Sequence, residues 1–179
     1  MITIIHFSGR EHGNCGAAAH IIKDVHQKDH VKQIHMKDVS ISPCGSCDYE
    51  CLNSTSPCPV DDDVNGIYAS IVTSDLVYFI VPNYCDYPSA YFFMFNERGC
   101  GYYNQDETKV KQYAEVPKKF IVISNSNQAH FNDIFSYHTD KEKPDSLFMR
   151  SNEYGKRSLD GDLFEDKRAR ETLMTFISQ

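Results

Sequence analysis

The chain has 179 residues, 41% hydrophobic and 24% charged, enough apolar material for one domain (1–179) with a substantial core and too much for a disordered chain. A formal net charge of −7 and an isoelectric point near 5.5 remove the general electrostatic reason to bind nucleic acid or an anionic membrane, since both attract clustered Lys and Arg. The expected partner is a small molecule or another protein. The start, MITIIHF, lacks the basic opening and longer apolar run of a signal peptide, and no stretch approaches the roughly 20 apolar residues of a membrane span, so a cytoplasmic protein is expected.

The apolar run ITIIHF, residues 2 to 7, is bounded by Ser8 and Gly9 and predicts a strand buried on both faces of a parallel sheet. From Asn14 the spacing of Ala18, Ile21, Ile22 and Val25 forms one apolar stripe and predicts a helix; VKQIHM, residues 31 to 36, reads as a second strand. After a cysteine-rich segment, Val64, Ile67, Tyr68, Ile71 and Val72 repeat the helical spacing, with Asp61 to Asp63 placed to cap that helix. DLVYFIVP, residues 75 to 82, is the strongest strand. A helix follows over about 89 to 97, then a polar, Tyr-rich stretch from Gly99 to Lys119 with no assigned structure. FIVIS (120–124) is the fourth strand and SLFMRS (146–151) a weaker fifth; Ala169, Leu173, Phe176 and Ile177 share one face of a C-terminal helix. This alternation of strands and helices predicts an α/β architecture, a parallel sheet covered on both sides.

Directly after the first strand, SGREHGNCGAA (8–18) leads hydroxyl, amide and glycine residues into a helix N-terminus, where a phosphate would sit. The N–H groups of the first helical turn, the positive end of the helix dipole and the Ser8 hydroxyl can donate to phosphate oxygens, and Arg10 adds a planar cationic donor. The spacing is neither GxGxxG nor GxxxxGK[ST]. Read without further context, Ser8, Gly9, Gly13 and Asn14 are also ordinary turn residues.

CGSCDYECLNSTSPC, residues 44 to 58, carries four of the seven cysteines of the chain. A reducing compartment and an odd count argue against a disulfide framework and toward metal binding or redox chemistry. The spacing C-x2-C-x3-C-x6-C supplies Cys44, Cys47, Cys51 and Cys58 from one loop, enough thiolates to wrap a [4Fe-4S] cluster. Zinc accepts the same four sulfurs, although a single C-x-x-C pair followed by two lone cysteines favours iron; free or redox-active thiols are the third reading.

The first loop, with Ser8, Arg10, Gly13, Asn14 and Cys15, resembles the S-x-R-x-x-G-N-[TC] loop of the flavodoxin-like NAD(P)H-dependent FMN reductases. The resemblance continues through residues 61 to 99, where an acidic pair, helix, strand, P-x-Y loop, S-A and Glu97-Arg98 follow one another, and more loosely through EYGKRSLDGDL at 153 to 163. Phe93 stands where these reductases often carry a lysine. Within the family, the cysteine segment is most similar to that of the iron-sulfur flavoproteins, with one extra residue between Cys47 and Cys51.

The resemblance implies a three-layer sandwich around a five-stranded parallel sheet of order 2-1-3-4-5, whose loops after the first and third strands meet at a switch point. FMN would be held at its phosphate by Ser8, Arg10, Gly13, Asn14 and Cys15. Its ring would face Pro82, Asn83, Tyr84, Cys85, Asp86 and Tyr87, flanked by Ser124, Asn125 and Asn127, with His130 as a candidate substrate contact. No protein nucleophile is required, because flavin carries the chemistry. The implied activity is an FMN-dependent oxidoreductase, with NAD(P)H as donor and a small-molecule or protein electron acceptor, passing electrons between flavin and a [4Fe-4S] cluster. The implied assembly is a homodimer or homotetramer. The alternatives are a cluster-free NAD(P)H-dependent FMN or quinone reductase and, outside enzymes, a zinc-binding or thiol redox-sensing module.

Overall fold

The computed structural model describes residues 1–45, 47–54, 56, 58–125 and 130–179. In chain order the elements are β1 (Ile2–His6), α1 (Asn14–Val25), β2 (Val31–His35), α2 (Glu50–Asn53), α3 (Val64–Val72), β3 (Leu76–Tyr84) and β4 (Tyr87–Pro88). There follow α4 (Ala90–Glu97), α5 (Gly99–Tyr103), α6 (Glu107–Glu115), β5 (Lys118–Ser124), α7 (Phe131–Ser136), β6 (Asp145–Arg150) and α8 (Lys167–Ile177).

Among the described residues five strands pair in parallel in the order β2-β1-β3-β5-β6, with the two-residue β4 folding back antiparallel on β3. The five parallel strands therefore follow the expected 2-1-3-4-5 order. Period-two alternation sends successive side chains to opposite faces and makes two cores. Ile5, Phe7, Phe79, Val81, Phe120 and Val122 face α3, α4 and α7, where Tyr68, Ile71, Phe92, Phe95 and Phe135 meet them. Ile4, Tyr78, Ile80, Ile121 and Ile123 face α1 and α8, against Ala18, Ile22, Ala169 and Leu173.

The helix after the cysteine segment starts where the sequence places it, but its acidic residues divide their work. Asp62 accepts the Val64 N–H at 3.2 Å and the Ser42 N–H at 3.0 Å, while Asp63 accepts the Ser40 N–H at 2.8 Å. The stretch from Gly99 to Lys119, unassigned from sequence, forms α5, α6 and the first residues of β5. Asp106 caps α6 by accepting the Thr108 and Lys109 N–H groups, a signal that was present in the sequence.

At the foot of β5, Lys118 is buried and donates to the carbonyls of Tyr113 and Val116, the second at 2.9 Å. Burial pushes its ammonium down to about 7. Close by, buried His138 shares a 2.7 Å hydrogen bond with the Tyr113 hydroxyl, and burial, aided by Lys118, lowers its imidazole to about 3. The unfolded chain takes up a proton at this histidine near pH 6.5 and the native fold does not, so native stability falls as pH drops from 6.5 toward 3. Urea midpoints measured between pH 7 and 4.5 should fall steadily, and His138→Gln should flatten that slope. An unchanged slope in the variant would remove His138 as its source.

Candidate functional site

The carboxyl edge of the sheet gathers four connections, after β1, β3, β5 and β6. Ser89, at the start of α4, donates to the Phe7 carbonyl at 2.6 Å and ties the β3 side to the end of β1. Asn83 Nδ2 donates to Ser124 Oγ at 2.7 Å, joining the ends of β3 and β5.

The β1 loop is closed by a segment that the sequence signalled only weakly, residues 158 to 163. Arg10 donates from Nη1 to the Leu159 carbonyl and from Nη2 to the Ser158 carbonyl, both at 2.8 Å. Buried Asn14 accepts the Leu163 N–H at 3.0 Å and donates to the Ser158 carbonyl at 3.2 Å. From the β5 side, Asn125 Oδ1 accepts the Ser158 N–H at 2.9 Å. Gly161, at φ +78°, packs against Gly13, and its left-handed backbone calls for glycine.

This closure leaves the N-terminus of α1 without a side-chain cap and without an acidic residue in its first turn. A twelve-residue helix with an uncapped first turn presents N–H groups and a positive dipole end suited to an anion. Ser8 is buried beside it. Its Oγ accepts the Arg10 N–H at 3.1 Å, which leaves the hydroxyl proton for another acceptor. Cys15 is also buried, and burial pushes its thiol up to about 12 against the pull of Arg10, so it stays neutral in the first turn. The Arg10 Nη atoms, expected from sequence to reach a phosphate, here donate to the loop backbone.

Pro82 to Tyr87 form a tight hairpin. Cys85 and Asp86 both take positive φ, 52° and 67°, as a two-residue turn of the hairpin-compatible hand requires. The turn leaves Tyr84 and Tyr87 about half exposed. The Tyr87 ring stacks on His130 at 5.5 Å, 13° from parallel, so His130 joins the hairpin at the rim. Asn127 lies outside the described residues.

Sequence reasoning passed over a histidine pair beneath the β1 loop. His6 and His35 stack with centroids 3.8 Å apart, and His35 Nε2 donates to the Ser8 carbonyl at 2.9 Å. His6 is buried with Nδ1 unpartnered; burial, then the nearby His35, lowers it to about 4 and keeps it neutral at pH 7. The two histidines end adjacent parallel strands and face each other in register, which was the available signal.

The cysteine segment lies on the α3 side and is held by residues 97 to 105. Glu97 accepts the Cys44 N–H at 2.7 Å, and Gln105 donates to the carbonyls of Cys51 and Ser54 at 3.3 and 3.0 Å. Arg98 is buried; it donates to Asp62 at 2.5 and 3.2 Å, to the Ser42 carbonyl at 2.8 Å and to Cys58 Sγ at 3.5 Å. Burial opposes the charge of Asp62, yet these hydrogen bonds hold its carboxyl below the usual range.

Burial pushes the Cys51 thiol up, and other thiols, Cys58 first, add to the shift. Among the described residues no three His, Cys, Asp or Glu side chains converge on a point where a metal ion would be held. Cys58 faces a guanidinium, Cys51 is buried on α2, and Cys44 stands beside the Glu97 carboxylate. The expected Cys44, Cys47, Cys51 and Cys58 ligand set, for iron or for zinc, is thus unsupported among the described residues.

No protein-family model matches the chain, and no curated sequence does. Solved structures do. Trp repressor binding protein from Bacillus subtilis aligns over 98% of both chains, with a TM-score of 0.65 and 18% identity. A flavoenzyme NAD(P)H:(acceptor) oxidoreductase from Paracoccus denitrificans aligns over 99% of this chain and 94% of its own, with a TM-score of 0.57 and 13% identity. An NADH:FMN oxidoreductase in its apo form aligns over 99% and 88%, with a TM-score of 0.54 and 11% identity. The fold is the flavodoxin-like α/β sandwich.

Arg98 and Asp62 side chains are each only 2% exposed, so Arg98→Gln leaves a buried carboxylate without its partner. The expected cost is about 3 kcal/mol, read as a lower urea midpoint, with faster proteolysis between residues 44 and 58. A loss below about 1 kcal/mol, the scale of a surface pair, would show that the cradle does not depend on this contact.

Proposed function

We propose that the chain is an NAD(P)H-dependent FMN or quinone reductase that works without an iron-sulfur cluster. The observation that carries the reading is the uncapped N-terminus of α1 at the β1–β3 switch point, enclosed by the 158–163 segment and faced by the 82–87 hairpin. Support comes from near full-length likeness in fold to two flavin-dependent oxidoreductases. The cluster-free form is preferred because the cysteine segment does not present a metal-holding group among its described residues.

The N–H groups of the first turn of α1 and the Ser8 hydroxyl would hold the phosphate of FMN. Arg10 and Asn14 act one step back, fixing the loop that closes over that turn. Pro82 to Tyr87 would line the ring, with Tyr84 and Tyr87 as aromatic surfaces and backbone groups of Asn83 to Asp86 for its polar edge. Ser124 and Asn125 would flank it from β5. A flavin bound there supplies hydride acceptance from a nicotinamide and electron release to a small acceptor. The residues named here bind, orient and exclude water, and none is assigned as nucleophile or proton donor.

The test is anaerobic titration of the purified protein with FMN followed by NADH or NADPH. Expected are stoichiometric flavin binding, bleaching of the bound flavin by a nicotinamide and no stoichiometric iron. Failure to bind flavin would overturn the reading, and stoichiometric iron would restore the cluster. Ser8→Ala should weaken FMN about tenfold, equivalent to about 1.4 kcal/mol, with the melting temperature little changed; unaltered affinity would take Ser8 out of the phosphate site.

A further inference from the structure

The backbone on both sides of Ser8 is held by side chains from other elements. The peptide unit before Ser8 is pinned at the Phe7 carbonyl, which accepts from the buried Ser89 hydroxyl at 2.6 Å. The unit after it is pinned at the Ser8 carbonyl, which accepts from His35 Nε2 at 2.9 Å. A carbonyl oxygen only accepts, so Nε2 carries the hydrogen. Peptide units are planar, and the soft rotations between these two are φ and ψ of Ser8. With both units held, the Cα–Cβ bond of Ser8 has one direction, and the Arg10 N–H, donating to Oγ at 3.1 Å, fixes the hydroxyl oxygen on it. His35 is itself held on two sides. It lies opposite His6 in the parallel register of β1 and β2, and the two imidazoles stack 3.8 Å apart and 29° from parallel. Burial keeps His6 neutral at pH 7, which makes it an uncharged platform. The other ring nitrogen of His35, Nδ1, faces Asp38 Oδ2 at 3.4 Å, from the 3-10 turn Met36–Asp38, and Asp38 is paired with Lys37 at 2.7 Å.

We propose that His35 is a positioning residue for the flavin phosphate, acting through Ser8: its Nε2–H holds the Ser8 carbonyl so that the Ser8 hydroxyl stays aimed at the bound phosphate. The proposal rests on the flavin reading of the α1 N-terminus and adds to it a residue from β2, the edge strand. His35 does not touch the flavin in this role. It acts through the backbone of Ser8, so its loss falls on the phosphate contact and leaves the contacts of the ring as they are. The measurable consequence is discrimination between FMN and riboflavin, which share a ring and differ in the phosphate.

The experiment titrates FMN and riboflavin by flavin fluorescence against the full-length protein, unaltered and as His35→Phe and His35→Gln. Phenylalanine keeps a ring on His6 and loses the donor; glutamine keeps a donor near the place of Nε2 and loses the ring. His35→Phe should bind FMN about tenfold more weakly with riboflavin unchanged, and His35→Gln should bind FMN as the unaltered protein does. A histidine that only packs would give the reverse order, with phenylalanine tolerated and glutamine impaired, and that result would overturn the proposal. Equal weakening of FMN and riboflavin in His35→Phe, or no weakening of either, would do the same. Absence of FMN binding in the unaltered protein would instead overturn the flavin reading, and the proposal with it. If a variant does not fold, the unaltered protein decides: the His35 Nε2 resonance in nitrogen NMR should move with FMN and not with riboflavin, and an unmoved resonance counts against the role.

Discussion

The carboxyl edge of this sheet depends on side chains from two distant loops gripping the backbone of residues 158 to 163. Arg10 and Asn14 hold it from the start of α1, and Asn125 from the end of β5. Each of these bonds joins a polar side chain to a loop carbonyl or amide that would otherwise face solvent or an apolar wall, and an unpaired buried partner costs more than a formed pair gains. Because the two amides and the guanidinium are committed to the loop, the helix end beneath it keeps its first-turn N–H groups for something else. The proposed anion site would therefore be a by-product of loop closure, with mainly backbone donors.

A second constraint organises the other side of the sheet. The buried Arg98–Asp62 pair fixes the entry to α3, and through Ser42 and Cys58 it fixes both ends of the cysteine segment. The Glu97-Arg98 dipeptide thus acts on a segment some forty residues earlier in the chain. Gln105 reaches the same segment from a left-handed backbone position, φ 59°, immediately after left-handed Asn104. Two such residues in succession are uncommon outside glycine, and here they end α5 and turn Gln105 onto α2.

Much of the architecture was legible because the strands are buried on both faces and read as continuous apolar runs, while the helices keep a clear 3.6-residue stripe. The strand and helix alternation and the loop from Ser8 to Asn14 follow from local pattern, whereas the 2-1-3-4-5 order came from the family resemblance. The 99–119 region was not legible: α5 is a five-residue helix of Gly, Cys and Tyr, held by Tyr68 and its neighbours rather than by propensity. The loop contacts of Arg10 and Asn14 were not legible for a related reason. Their residue types suit a phosphate, but their partners are carbonyls and an amide about 145 residues away, and sequence spacing carries no information about such contacts. The cysteine spacing suited a four-thiolate cage, whereas Arg98, Glu97 and Gln105 take hold of that segment one group at a time.

The proposed function requires the first turn of α1 to hold the phosphate of a flavin nucleotide. The most direct measurement compares FMN with riboflavin, which has the same ring and no phosphate, by fluorescence titration, following backbone amide shifts of Gly13 to Gly16 by NMR. FMN should bind at least a hundredfold more tightly than riboflavin, equivalent to about 2.7 kcal/mol, and these amides should shift with FMN or inorganic phosphate and not with riboflavin. Equal affinity for the two flavins, or amide shifts confined to other loops, would contradict it.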